Sequence, residues 1–252
     1  MNAVALVTGG QQGIGLGIAK ELVAAGFQVA IAALPEASSP IVKNALATLG
    51  GKARYFQHDV ADINRVPALL DAVEAEMGVV TTLINNAGVG APVRGDMLDL
   101  EPSSFDSVMN INLRGAFFLA QEVSRRMLTD DEDGYRSLIF VTSVSAEMGS
   151  VERAEYCMSK AGAAMMSRLF AVRLAPHGIG VFELRPGIID TEMTAGVKDK
   201  YTKRIENGLV PAARWGEPRD IGQIVIPLAT GQMRFANGAV IPVDGGLSIP
   251  QL

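Results

Sequence analysis

Short apolar runs alternate with amphipathic stretches along almost the whole chain. Ala3 to Thr8, Phe27 to Leu34, Ala53 to His58, Thr82 to Asn85, Ser137 to Thr142, Gly180 to Arg185 and Ala239 to Val243 have the length and apolar content of buried strands. Helical patterns lie between them: about Ile14 to Ala25, from Pro40 behind Ser39 to Gly50, across Pro67, Ser103 to Met127, through Tyr156 to Ala175, and onward from Pro218. An N-cap at Asn64 would place Pro67 in a first turn, where its missing N–H costs nothing. Pro227 predicts a kink or an early stop. Asp130 to Gly134 reads as a solvated loop, and the polar, mixed residues 192–216 read as a substrate lid rather than a strand or regular core helix. Strand and helix in strict alternation predict an α/β protein. Its doubly wound parallel sheet of seven strands would carry helices on both faces, with residues 1–252 as a single domain.

Composition narrows the function. Apolar residues make up 48% and charged residues 19%, which supports a large core. The formal net charge of -5, without a basic run, argues against nucleic acid and anionic membrane as partners. A single cysteine excludes an internal disulfide, and two isolated histidines, His58 and His177, make no metal site; both read as structural. The N-terminus shows no signal-peptide pattern and no apolar stretch reaches bilayer length, so a soluble cytoplasmic protein is expected.

Two stretches carry candidate chemistry. Gly9-Gly10-Gln11-Gln12-Gly13-Ile14-Gly15 follows the first strand and opens the first helix, where glycines let a pyrophosphate approach main-chain N–H groups. The second strand ends Ala33-Leu34-Pro35-Glu36 and offers the ribose neither a clear acid nor a base. With Gln11 and Gln12 in place of a local cation, the cofactor choice between NAD and NADP tilts toward NAD. The second stretch is Tyr156-Cys157-Met158-Ser159-Lys160. Tyr156 and Lys160 stand one helical turn apart on one face, so the ammonium favours the phenolate and equips the phenol to exchange a proton with an alcohol oxygen. Cys157 lies round the helix from both and reads as packing.

Thr8-Gly9-x-x-x-Gly13-x-Gly15, Asn85-Asn86-Ala87-Gly88, Ser143, Tyr156-x-x-x-Lys160 and Pro186-Gly187, in this order, resemble the short-chain dehydrogenase/reductases over essentially the whole chain, down to Val243-Asp244-Gly245-Gly246. The chain looks most like the bacterial 3-oxoacyl-carrier-protein reductase type and the similar sugar and polyol dehydrogenases. The resemblance implies a single-domain Rossmann fold and a catalytic tetrad. Tyr156 would be the general acid/base, with Lys160 lowering its pKa and holding the nicotinamide ribose. Ser143 would bond the substrate oxygen, and Asn112 would hold a relay water. It also implies cofactor contacts at Gly9, Gln12, Gly13, Ile14, Ala33 and Leu34. Asp59 and Val60 would clasp adenine and Asn86, Ala87 and Gly88 would line the groove. Pro186, Gly187, Ile189 and Thr191 would lie at the nicotinamide.

The implied reaction is hydride transfer between NAD or NADP and a small-molecule carbonyl or secondary alcohol, either a 3-oxoacyl thioester or a sugar or polyol. A non-catalytic nucleotide-binding scaffold is the reading from another class. Arg94 and the charged stretch Glu147 to Glu155 could meet an anionic group or form surface ion pairs. A homodimer or homotetramer is expected through Phe117, Phe118, Met165, Met166 and Phe170.

Overall fold

The computed structural model describes residues 3–130 and 134–250; part of the acidic loop, residues 131–133, lies outside them. Seven parallel strands form one sheet: β1 Val4–Thr8, β2 Gln28–Ala33, β3 Ala53–Gln57, β4 Val80–Asn85, β5 Ser137–Val141, β6 Gly180–Pro186 and β7 Val240–Val243. Their order, β3-β2-β1-β4-β5-β6-β7, reverses direction between β1 and β4. That reversal opens a crevice at the C-terminal strand ends, where open α/β sheets bind ligands.

Consecutive buried strand residues point to opposite faces. Leu6, Leu83 and Leu138 pack with α3 (Val66–Met77), α5 (Ala116–Thr129) and α6 (Ala154–Leu174) through Leu70, Leu119 and Phe170. Their neighbours Val7, Ile84 and Ile139 pack with α1 (Gly13–Ala24) and α9 (Pro218–Ala229) through Ile18, Leu22, Ile221 and Val225. The helix α2 (Pro40–Leu49) begins as expected behind Ser39, but Ser39 makes no side-chain cap. Pro67 does fall in the first turn of α3, although the N-cap is Arg65 rather than Asn64, because Ile63–Arg65 forms a short 3-10 turn first. Pro227 lies in the last turn of α9, which ends two residues later at Ala229.

Two regions differ from the sequence pattern. The expected helix over 103–127 is three pieces: α4 (Pro102–Met109), a π-helical segment Asn110–Gly115, and α5. Asn110, Asn112 and Gly115 are weak helix formers, and the wider turn swings Asn112 inward to its partners on Val89. Gly115 meets the Val60 carbonyl so closely that a Cβ would stand 2.1 Å from its oxygen, so no other residue fits there. The second region is 192–216, which contains two helices, α7 (Glu192–Ala195) and α8 (Lys198–Glu206). Of α8 only Ile205 is buried, which explains why its pattern looked unlike a core helix. Among the described residues no helix is long and apolar enough to cross a membrane.

Candidate active site

A cavity of about 870 Å³ runs along the C-terminal ends of β1, β2, β4, β5 and β6. One end is built largely from main chain. After β1 the chain turns through Gly9 at φ 66° and Gly13 at φ 50°, in the left-handed region open to glycine. Gly15 follows, where a Cβ would stand 2.2 Å from the Gly9 carbonyl oxygen. The N-terminus of α1 receives no side-chain cap from Gln12, so its first N–H groups face the cavity free.

Thr8 ties this turn to β4. Its Oγ1 accepts from the N–H groups of Asn86 (3.0 Å) and Ala87 (2.9 Å), while Asn86 Nδ2 donates to the Thr8 carbonyl (2.8 Å). Ala33, Leu34, Asp59 and Val60 complete this end.

The residues present fit a dinucleotide. The cavity volume is within the ~300–1,000 Å³ common for ligand sites. The glycine turn leaves a cradle that side chains would fill, over a helix N-terminus suited to phosphate. Gln11 Oε1 and His58 Nε2 are buried without a partner among the described residues, and both residues line the cavity. His58, expected from sequence to be structural, is buried in this wall. Burial lowers its pKa, with Asp59 and Asp62 opposing and Arg65 assisting. Glu36, the one acid at the end of β2 in the sequence, does not line the cavity; its carboxylate accepts from the Ser38 hydroxyl (3.3 Å).

The other end is built from side chains. Ser143, Tyr156 and Lys160 share this wall with Pro186, Gly187, Ile189 and Thr191. Ser143 lies two residues beyond β5 and caps the short 3-10 turn Val144–Ala146, its Oγ accepting from the Ser145 N–H (3.1 Å). Lys160 Nζ donates to the Val141 carbonyl (3.1 Å) and stands 5.7 Å from the centre of the Tyr156 ring.

Asn112 is close behind the wall rather than in it. Its Oδ1 accepts from Val89 N–H (2.8 Å), and its Nδ2 donates to the Val89 carbonyl (2.9 Å) and to Ser159 Oγ (3.1 Å). A Cβ on Gly88 would press on both this amide oxygen and Lys160 Nζ, at 3.1 and 3.5 Å.

A buried charge network beneath this end was missed by the motif reading. Glu183 Oε1 accepts from Thr142 Oγ1 (2.7 Å) and from Arg185 Nε (2.6 Å), and the Arg185 Nη1 grips Glu147 in the loop after β5. Arg185 holds the exposed Glu147 carboxyl below the usual carboxylate range through its hydrogen bond and charge. The available signal was a Glu and an Arg two apart, on one face of an otherwise apolar parallel strand.

A doubly wound sheet with a glycine cradle at its crevice, and a Ser, a Tyr and a Lys at the far end, defines a dinucleotide-dependent oxidoreductase fold. Residues 9–248 match the family model described as enoyl-(acyl carrier protein) reductase. The chain is 36% identical to the 3-oxoacyl-acyl-carrier-protein reductase MabA of Mycobacterium tuberculosis, over 97% of this chain and 92% of that one. It is 32% identical to the 2-dehydro-3-deoxy-D-gluconate 5-dehydrogenase of Escherichia coli, over 96% and 94%. A crystal structure of a 3-oxoacyl-acyl-carrier-protein reductase from Brucella melitensis in complex with NAD superposes with a TM-score of 0.95 at 48% identity, covering 100% of this chain and 99% of that one. The chain belongs to the short-chain dehydrogenase/reductase family and is an NAD(P)-dependent oxidoreductase.

Proposed function

We propose that this enzyme interconverts a carbonyl and a secondary alcohol on a small molecule, with Tyr156 as the proton-transfer group. The observation that carries this reading is a single cavity with the glycine cradle at one end and Ser143, Tyr156 and Lys160 at the other. When bound, the nicotinamide supplies or accepts the hydride. Negative charge then grows on the substrate oxygen, and the phenol of Tyr156 gives that oxygen its proton. Lys160 stands on the same wall, its Nζ 5.7 Å from the centre of the Tyr156 ring, where it would hold the nicotinamide ribose. Ser143 has one lone pair taken by the Ser145 N–H, so its own hydrogen is free to donate to the substrate oxygen.

Asn112 acts on this chemistry through position. Its Nδ2 hydrogens go to the Val89 carbonyl and Ser159 Oγ, and its Oδ1 accepts from the Val89 N–H, so a relay water at this point would be held by the second lone pair of Oδ1 or by main chain. Gly9, Gln12, Gly13 and Ile14 would hold the pyrophosphate, Asp59 and Val60 the adenine, and Ile189 and Thr191 the carboxamide. Residues 192–216 would act as a lid over the substrate. NAD is the better fit than NADP, because the adenosine end is lined by Ala33, Leu34, Pro35, His58 and Asp59, without a lysine or arginine for a 2′-phosphate.

Titration with NADH and NADPH, followed by a panel of ketones with the tighter cofactor, tests the reading. Binding without turnover on any carbonyl or alcohol would refute it.

The expected dimer surface divides. Met166 and Phe170 turn into the core, whereas Met165 is exposed together with Met158, Leu169 and Val172 along the outer face of α6. A second copy of this chain would cover that stripe, and light scattering on the purified protein checks it.

A further inference from the structure

Arg153 opens α6 and lies half-buried in the substrate end of the cavity. Its guanidinium carbon stands 5.4 Å from the centre of the Tyr156 ring, and Nη2 reaches Ser145 Oγ only at 3.5 Å. Among the described residues no carboxylate lies within 4.0 Å of it, whereas Arg126, Arg185 and Arg214 each hold at least one. Helix geometry does not explain it either, since the N-terminus of α6 carries partial positive charge that disfavours a cation. Burying a charge without a partner is costly, and an aromatic face alone offsets little of that. Arg94 and Arg204 line the same cavity from exposed positions, also without a carboxylate partner among the described residues, and Glu192 is an acid of the same lining, so Arg153 is the half-buried arginine of this end.

We propose that Arg153 binds a carboxylate of the substrate, and that the natural substrate is an oxo acid or hydroxy acid with its free carboxylate close to the reacting carbon. This rests on the carbonyl–alcohol reading above and names its substrate class. A guanidinium fork donates to two carboxylate oxygens at once, and the Tyr156 ring beneath it fixes where that fork stands. The anion would then be seated beside the phenol that exchanges the proton. A thioester has no anion at this point and would leave Arg153 desolvated and unpaired.

The test compares an oxo acid with its own methyl ester under NADH. Wild-type kcat/KM should favour the acid by ~30-fold or more, the scale of a charged hydrogen-bonded contact. In Arg153→Gln that ratio should fall to within about threefold of unity, with most of the loss in KM, and Arg153→Lys should restore part of it. A second readout needs no turnover. Trp215, the one tryptophan of the chain, donates to Thr202 Oγ1 (3.1 Å) and packs on Tyr201, which lines the cavity. A saturated carboxylic acid lacking the oxo group should change its fluorescence in the wild type and fail to do so in Arg153→Gln. Equal use of acid and ester, or undiminished acid binding by Arg153→Gln, would overturn the proposal while leaving the carbonyl reading intact. Arg153-dependent acid binding with no turnover of any carbonyl or alcohol would support the carboxylate site and remove the carbonyl reading instead.

Discussion

The two ends of the cavity are held in place by different means. Around Thr8–Gly15 and Asn86–Gly88 the wall is main chain and glycine, fixed by neutral hydrogen bonds centred on Thr8. Around Ser143–Tyr156 the wall is side chain, and it stands on the buried Glu183–Arg185 ion pair, which Thr142 joins by a hydrogen bond and the exposed Glu147 by a second ion pair. The first arrangement recognises by shape and tolerates little variation, because a side chain in the wrong place fills the cradle. The second recognises by chemistry and can change with each arginine or glutamate exchanged in the wall.

The largest effect should come from the chemistry itself. Tyr156→Phe should lower kcat by about 10³-fold, or about 4 kcal/mol, while NADH binding followed by fluorescence changes less than about threefold. Loss of NADH binding together with turnover would show that the two ends are not separable. Next come the two foundations. Glu183→Leu leaves the buried Arg185, on a strand inside the sheet, with only the exposed Glu147 as partner and should cost about 3 kcal/mol in urea unfolding, with Glu183→Leu/Arg185→Met recovering most of it. Thr8→Val removes an acceptor shared by two main-chain N–H groups and should cost less, about 2 kcal/mol. An equal or larger loss in Thr8→Val would contradict the contrast between a charged and a neutral foundation.

That contrast also sets how far the sequence could be read. The cofactor end was legible because its requirements are backbone requirements, and Gly9, Gly13 and Gly15 declare them by type and spacing alone. Tyr156 and Lys160 were legible because helical periodicity fixes their shared face. Asn112 was singled out by the family resemblance, but not the π-helical segment that turns it onto Val89, since one extra residue in a helical turn leaves no periodic mark in a stretch this short. The Glu183–Arg185 pair was hidden for a related reason: its meaning depends on Thr142 and Glu147, which are distant in the chain and meet it only through the pairing of β5 with β6. His58 looked inert because only the folded strand end reveals that its residue lines the cavity and that its buried Nε2 has no hydrogen-bond partner among the described residues.

A smaller effect sharpens the account of the cofactor end. Leu34 is 64% exposed at the tip of β2 and lines the cavity where a ribose 2′-substituent would lie. Without a cation there, NADPH should bind about tenfold more weakly than NADH, roughly 1.4 kcal/mol. Leu34→Arg should narrow or reverse that ratio in a fluorescence titration. A wild-type preference for NADPH would show that a charge from the substrate end reaches across, and that the division between the ends is drawn too sharply.

The smallest effect is one of pH. Burial holds His58 below its ordinary pKa, and the opposing pull of Asp59 and Asp62 does not undo this. In the unfolded chain the same imidazole titrates near ~6.5. As pH falls below that value, the unfolded state takes up a proton that the folded state refuses, so stability declines with acidity. The stability that the neutral ring contributes is complete above pH ~6.5 and is lost as pH falls toward the folded pKa. At pH 5.5 the unfolded-state protonation limits the loss to about 1.4 kcal/mol or less. Urea unfolding at pH 7.0 and pH 5.5 should therefore show a drop in the wild type that shrinks in His58→Leu. His177→Asn is the control, because that ring lies on the surface against Arg173. A drop that persists in His58→Leu would place the acid sensitivity in the charge network of the substrate end, where Glu183 and Glu147 face Arg185.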